Sequence, residues 1–88
     1  MRVLFSPPVW EDFEYWRETD QKIEKKIRKL IKKCRRRLFE GTGKPEGLKG
    51  NLSGFWSRRI TSEHRLVYQV FGEGDGQALE VAQARFHY

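Results

Sequence analysis

Gly54-Phe-Trp-Ser-Arg-Arg-Ile-Thr-Ser-Glu-His-Arg-Leu-Val-Tyr-Gln-Val-Phe71 alternates twice, with a short polar break between the two halves. In the first half Phe55, Ser57 and Arg59 oppose Trp56, Arg58 and Ile60. In the second, Arg65, Val67, Gln69 and Phe71 oppose Leu66, Tyr68 and Val70. A period of two sends successive side chains to opposite faces of a sheet, so the pattern predicts strands over 54–60 and 65–71. Thr61-Ser-Glu-His64 is short enough to close them into an antiparallel hairpin.

Working outward, Gly41, Gly43, Pro45, Gly47 and Gly50 interrupt any helix and predict a loop with a brief strand at Leu48-Lys49. That loop carries one carboxylate, Glu46. On the other side, Gly72-Glu-Gly-Asp-Gly-Gln77 predicts a flexible loop before a last strand over 78–86. There Leu79 and Val81 share parity with Gln83, Arg85 and His87, so an apolar face turns polar midway. A bulge near residues 82–84 and the twist of the sheet each account for this, and the residues leave both open.

The first half of the chain is helical apart from a short strand at Arg2-Val-Leu-Phe5. Ser6 followed by Pro7 reads as N-cap and N1, and Val9, Phe13 and Trp16 keep helical spacing through about residue 18. Glu11 and Asp12 near its start suit the helix dipole. Asp20 caps a second helix over 21–37, whose apolar stripe is Ile23, Ile27, Leu30, Ile31 and Cys34. A helix polar on its other sides must lie on something apolar, and the sheet supplies it. The fold expected is α+β: two N-terminal helices on one face of a twisted, largely antiparallel sheet of four to five strands, as one domain over 1–88.

Composition limits what this domain does. The net charge of +6 over 88 residues is concentrated: residues 21–37 carry ten basic and one acidic side chain. Such a field attracts nucleic acid or an acidic protein. No apolar run approaches the roughly 20 residues of a membrane helix, and the first residues lack a signal-peptide core. With one cysteine, Cys34, the chain reads as cytoplasmic, with no membrane partner. Two histidines and one cysteine, widely separated, offer no metal cluster, and no cofactor is expected.

Glu46 lies in sequence among Lys44, Arg58, Arg59 and Arg65, and the chain ends Arg85-Phe-His-Tyr88. Cleaving RNA through its own 2′-OH needs a base for the 2′ proton, a cation on the phosphate and an acid for the 5′ oxygen. Glu46, Arg65 and His87 are of the right types, and arginine's planar fork matches phosphate oxygens. Taken alone, each has a plainer reading. Glu46 could be a solvated loop acid, Arg65 a surface partner of Glu63 or Glu80, and His87 a frayed end. His64 reads as a turn residue, Trp10, Trp16 and Trp56 as core, and Cys34 as packing.

The order of residues strengthens the sharper reading. Asn51-Leu-Ser-Gly-Phe-Trp-Ser-Arg-Arg-Ile-Thr61, then Glu63-His-Arg-Leu-Val-Tyr68 and a terminal His87-Tyr88, strongly resemble the YoeB (Txe) toxins of the RelE superfamily. The similarity spans the chain, including Trp10, Tyr15-Trp16, Glu18-Thr-Asp20 and Gly43-Lys-Pro-Glu46. The resemblance implies a RelE-like fold and the toxin of a type II toxin–antitoxin pair, one that enters the ribosomal A site and cuts mRNA without a metal. It implies a YefM-like antitoxin, ribosomal RNA and mRNA as partners, and allows a homodimer. By position it makes Glu46 the general base, His87 the general acid, Arg65 the phosphate stabiliser and Tyr88 a residue that shapes the site. Lys49 and Arg59 would line the RNA groove, with Lys44 and Arg58 beside them as phosphate-binding cations. Two departures are visible: the 72–77 loop looks long for the family, and Phe86 stands where a tyrosine is common. The alternatives are a non-enzymatic toxin of similar fold that binds a topoisomerase, and a basic RNA-binding module without turnover.

Overall fold

The computed structural model describes residues 1–86. Its elements are β1 (Arg2–Phe5), α1 (Pro7–Thr19), α2 (Gln21–Arg36), β2 (Glu46–Gly47), β3 (Trp56–Arg59), β4 (Arg65–Phe71) and β5 (Ala78–Gln83). Short 3-10 turns occupy Gly50–Leu52 and Gly74–Gly76. The five strands form one sheet in the order β1-β5-β4-β3-β2, antiparallel except where β1 runs parallel to β5. An α+β fold with both helices on one sheet face is therefore observed.

The core lies between helices and sheet. Val9, Phe13 and Trp16 of α1 meet Ile27, Leu30, Ile31 and Cys34 of α2, and both sets pack on Leu66, Tyr68, Leu79 and Val81. Helix α2 starts where Asp20 accepts hydrogen bonds from the Lys22 and Ile23 amides, which satisfies two donors the first turn leaves open. Ser6 caps α1 without a side-chain bond to the helix; its hydroxyl donates to the Ala82 carbonyl instead and ties the helix start to β5. Glu24, on the edge of the apolar stripe, is 7% exposed and pairs with Arg28 one turn on.

Three expectations need correction, and one open alternative is decided. The strand before the hairpin falls at Glu46–Gly47, two residues earlier than Leu48-Lys49. Gly47 opposes Trp56. The two strands beside β4 are also shorter than the alternation suggests: β3 spans Trp56–Arg59, with Gly54 turning at φ +94, and β5 ends at Gln83. Trp10 is 57% exposed rather than core, leaning on Phe5 with centroids 5.2 Å apart. Finally, the parity conflict in the last strand is resolved by a bulge. Tyr68 pairs with Val81 but Val67 with Gln83, so Ala82 is the extra residue and the faces exchange there. Leu79, Val81 and Ala84 all reach the core, while Gln83 turns to the other side.

Candidate active site

The sheet face away from the helices gathers three of the residues singled out by sequence: Glu46, Arg59 and Arg65. Directly paired residues share a face, so Glu46, Ser57, Val67 and Gln83 form one row across four strands. Arg59 and Arg65 oppose each other in the next row on the same side. Glu46 and Arg65 are thus two strands apart, roughly 10 Å across the sheet, and two residues apart along it. Both side chains are long enough to approach one phosphodiester from that separation. Glu46, Lys44, Lys49 and Arg59 are exposed; Arg65 is nearly buried.

Arg65 opens β4, and its Nη1 donates to the carbonyls of Thr61, Ser62 and His64 at 2.9, 3.3 and 3.1 Å. The hairpin turn thereby fixes the guanidinium, which forms no ion pair with Glu63 or Glu80. Glu80 is instead engaged by Gln69 at 2.9 Å.

Arg58 corrects the sequence reading. It is fully buried and faces the helices, because the alternation of β3 turns it away from Arg59. Its Nη2 donates to the Glu40 and Arg37 carbonyls, Nη1 to Thr42 O at 3.0 Å, and Nε to the Tyr68 hydroxyl at 3.3 Å. Tyr68 in turn donates to Leu38 O at 2.7 Å. Together they bind four carbonyls of the segment that follows α2, at the negative end of that helix's dipole. A side chain so engaged cannot contact RNA. It acts on the site indirectly, by holding the loop that delivers Glu46.

That loop has little freedom beyond Arg58. Gly43 adopts φ +86 and its carbonyl accepts the Arg59 amide at 2.7 Å. A Cβ on Gly43 would stand 3.1 Å from Arg58 Cβ and 3.2 Å from Arg59 O. Cys34 lies against the same cluster; burial pushes its thiol, and the Tyr68 phenol, above their ordinary ranges, so both stay neutral.

At the other edge, the chain beyond β5 is held residue by residue. Ala84 is buried, its amide donating to Asp12 Oδ2 at 3.0 Å and its carbonyl accepting from Trp16 Nε1 at 2.9 Å. The Arg85 guanidinium sits 3.3 Å from the Tyr15 ring centroid and 4.3 Å from that of Phe86. Phe86 donates its amide to His64 Nδ1 at 2.8 Å and accepts from the Arg65 amide at 2.9 Å and from Gln83 Nε2 at 3.2 Å. Burial raises the Asp12 carboxyl above its ordinary value, against the Ala84 amide and Arg85, which favour the charged form.

His87 and Tyr88 lie outside the described residues. Phe86, the last described residue, is hydrogen-bonded to the Arg65 backbone. Sequence reasoning missed two participants here. Asp12 read as a dipole partner although it lies past the first turn of α1, and His64 as an ordinary turn residue. Both contact the tail across more than 20 positions of sequence, and no local pattern signals that.

The family profile described as "YoeB-like toxin of bacterial type II toxin-antitoxin system" matches residues 5–88. Toxin YoeB of Escherichia coli (strain K12) is 57% identical over 88 residues, covering all of both chains. A solved YoeB/ParE toxin from Agrobacterium tumefaciens superposes with a TM-score of 0.97 at 51% identity, again over both whole chains. Staphylococcus aureus YoeB, 44% identical over all of this chain and 98% of its own, has been solved as a dimer (TM-score 0.86) and in a YoeB–YefM complex (TM-score 0.84). A family match over residues 5–88 and relatives at this identity and coverage leave one conclusion: the chain belongs to the YoeB-like toxins of bacterial type II toxin–antitoxin systems.

Proposed function

We propose that this toxin is a ribosome-dependent endoribonuclease that cuts mRNA in the A site by metal-independent general acid–base catalysis. The carboxylate of Glu46 takes the 2′-OH proton. The 2′ oxygen attacks the adjacent phosphorus, negative charge builds on the non-bridging oxygens, and Arg65 stabilises it. His87 then protonates the departing 5′ oxygen, leaving a 2′,3′-cyclic phosphate and a free 5′-OH. Tyr88 helps shape the pocket, while Lys44, Lys49 and Arg59 hold the flanking backbone. Each acid–base role is worth about 10²–10⁴ in rate.

One observation carries the reading: Glu46 and Arg65 issue from the same sheet face, and the chain leading to His87 is bonded to the Arg65 backbone. The outward face of α2 lies on the far side of the molecule, with Lys29, Lys32, Lys33, Arg35 and Arg36 around one open cleft. We assign it to ribosomal RNA, so that the ribosome grips one side and the message enters the other. The partner that silences the toxin is a YefM-like antitoxin, by analogy with the staphylococcal complex.

Primer extension on mRNA in a translating extract tests the reading. The wild type should leave discrete breaks at A-site codons, while Glu46→Gln, Arg65→Ala and His87→Gln should each lose about 10²-fold or more of the rate. Growth arrest with an intact message would favour the topoisomerase-binding alternative.

A further inference from the structure

We propose that His64 is a positioning residue, a latch whose neutral imidazole holds the last turn of the chain in the place from which His87 acts. The consequence for cleavage rests on the ribonuclease reading above; the latch itself does not.

Phe86 adopts φ +68, a region a residue with a Cβ seldom occupies unless its surroundings impose it. Here they do. Its amide donates to His64 Nδ1, and its carbonyl accepts from Arg65 and Gln83. Both backbone groups of Phe86, the last described residue, are therefore fixed. Of these contacts, only the one to His64 depends on a side chain that can change its charge.

The acceptor is itself held rigidly. The His64 ring meets Trp16 edge-on, with centroids 4.8 Å apart and planes at 84°. That same indole donates to Ala84, so one side chain orients both the ring and the tail. The backbone of His64 is fixed as well: its amide donates to Thr61 Oγ1 at 3.1 Å and its carbonyl accepts from the Ile60 amide at 3.0 Å. An acceptor placed in advance loses little order when the tail docks, and a catalytic group displaced by about 1 Å can lose 10²-fold in rate.

Nδ1 accepts only while it carries no proton. Protonation would turn it into a donor facing the Phe86 amide, and the latch would open. Asp12 from α1 interacts electrostatically with the ring, Arg65 donates to the His64 carbonyl, Glu63 precedes it in the turn, and Arg85 lies over the ring of the neighbouring Phe86.

Two substitutions separate the latch from simple packing. His64→Asn places an amide oxygen near the position of Nδ1 and cannot titrate there. His64→Phe keeps an aromatic ring against Trp16 but removes the acceptor. In the purified full-length toxin, NMR should show the Phe86 amide protected in the wild type and in His64→Asn. In His64→Phe it should exchange at least about fivefold faster, the scale of one hydrogen bond. Single-turnover cleavage on ribosomes should fall about 10²-fold in His64→Phe with half-saturation unchanged, and should recover in His64→Asn. All three proteins retain His87, so the wild-type to His64→Asn activity ratio isolates residue 64, and it should drop as pH falls. Equal amide exchange in all three proteins would overturn the latch, as would an unchanged rate in His64→Phe. A wild type that cuts no message would refute the ribonuclease reading instead, and the amide exchange would still judge the latch.

Discussion

Arg58 and Arg59 stand side by side in sequence and do opposite work. Arg58 is fully buried, with every nitrogen of its guanidinium on a carbonyl or hydroxyl, whereas Arg59 is exposed on the face that carries Glu46. Removing Arg58 strands several buried carbonyls, and hydrogen bonds to a charged group are worth about 1.5–3 kcal/mol each. Arg58→Ala is therefore expected to lower stability by about 3 kcal/mol or more, read from the denaturant midpoint, and to loosen the loop bearing Glu46. Arg59→Ala should shift stability by no more than about 0.5 kcal/mol while weakening cleavage. A fork made of two consecutive arginines suggests a phosphate clamp in the sequence; only the alternation of the strand, followed strictly, separates the two.

Among the elements, the contact between α1 and the chain after β5 is the most informative. Asp12 accepts the Ala84 amide from a partly buried position that raises its pKa. Folded Asp12 thus binds its proton more tightly than unfolded Asp12. Its contribution to stability is fully present below the unfolded carboxyl range and is lost as pH rises through the folded value. Asp12→Asn keeps an acceptor without the buried charge. Thermal unfolding should show this variant at least as stable as the wild type near pH 7, with the advantage shrinking as the pH falls toward 4. The sequence makes the hairpin and α2 legible because each has a strong local signal: strict alternation over 65–71, and an apolar stripe closed by Asp20. It does not disclose the parallel pairing of β1 with β5, nor the grip of Asp12, Trp16 and His64 on the tail. Those depend on residues 22 to 76 positions apart, or on a bulge that exchanges faces at Ala82. Glu46 and Arg65 stood out by residue type and share one sheet face, while Arg58 was misread because its residue type suggested phosphate and its burial did not show.

For the molecule as a whole, the sheet separates two surfaces of different character. On one side α2 presents a dense field of lysines and arginines; on the other, exposed Glu46 and nearly buried Arg65 share a sheet face beside the anchored tail. That division suits a protein that must be held by one polyanion while acting on another. The central claim is that this second face cuts RNA through the substrate's own hydroxyl. Its most direct test is single-turnover cleavage of a ribosome-bound message carrying a 2′-O-methyl group at the nucleotide that is otherwise cut. The account predicts no break there, and a 2′,3′-cyclic phosphate end on the unmodified control. Cleavage of the methylated message at the same site and rate would contradict it.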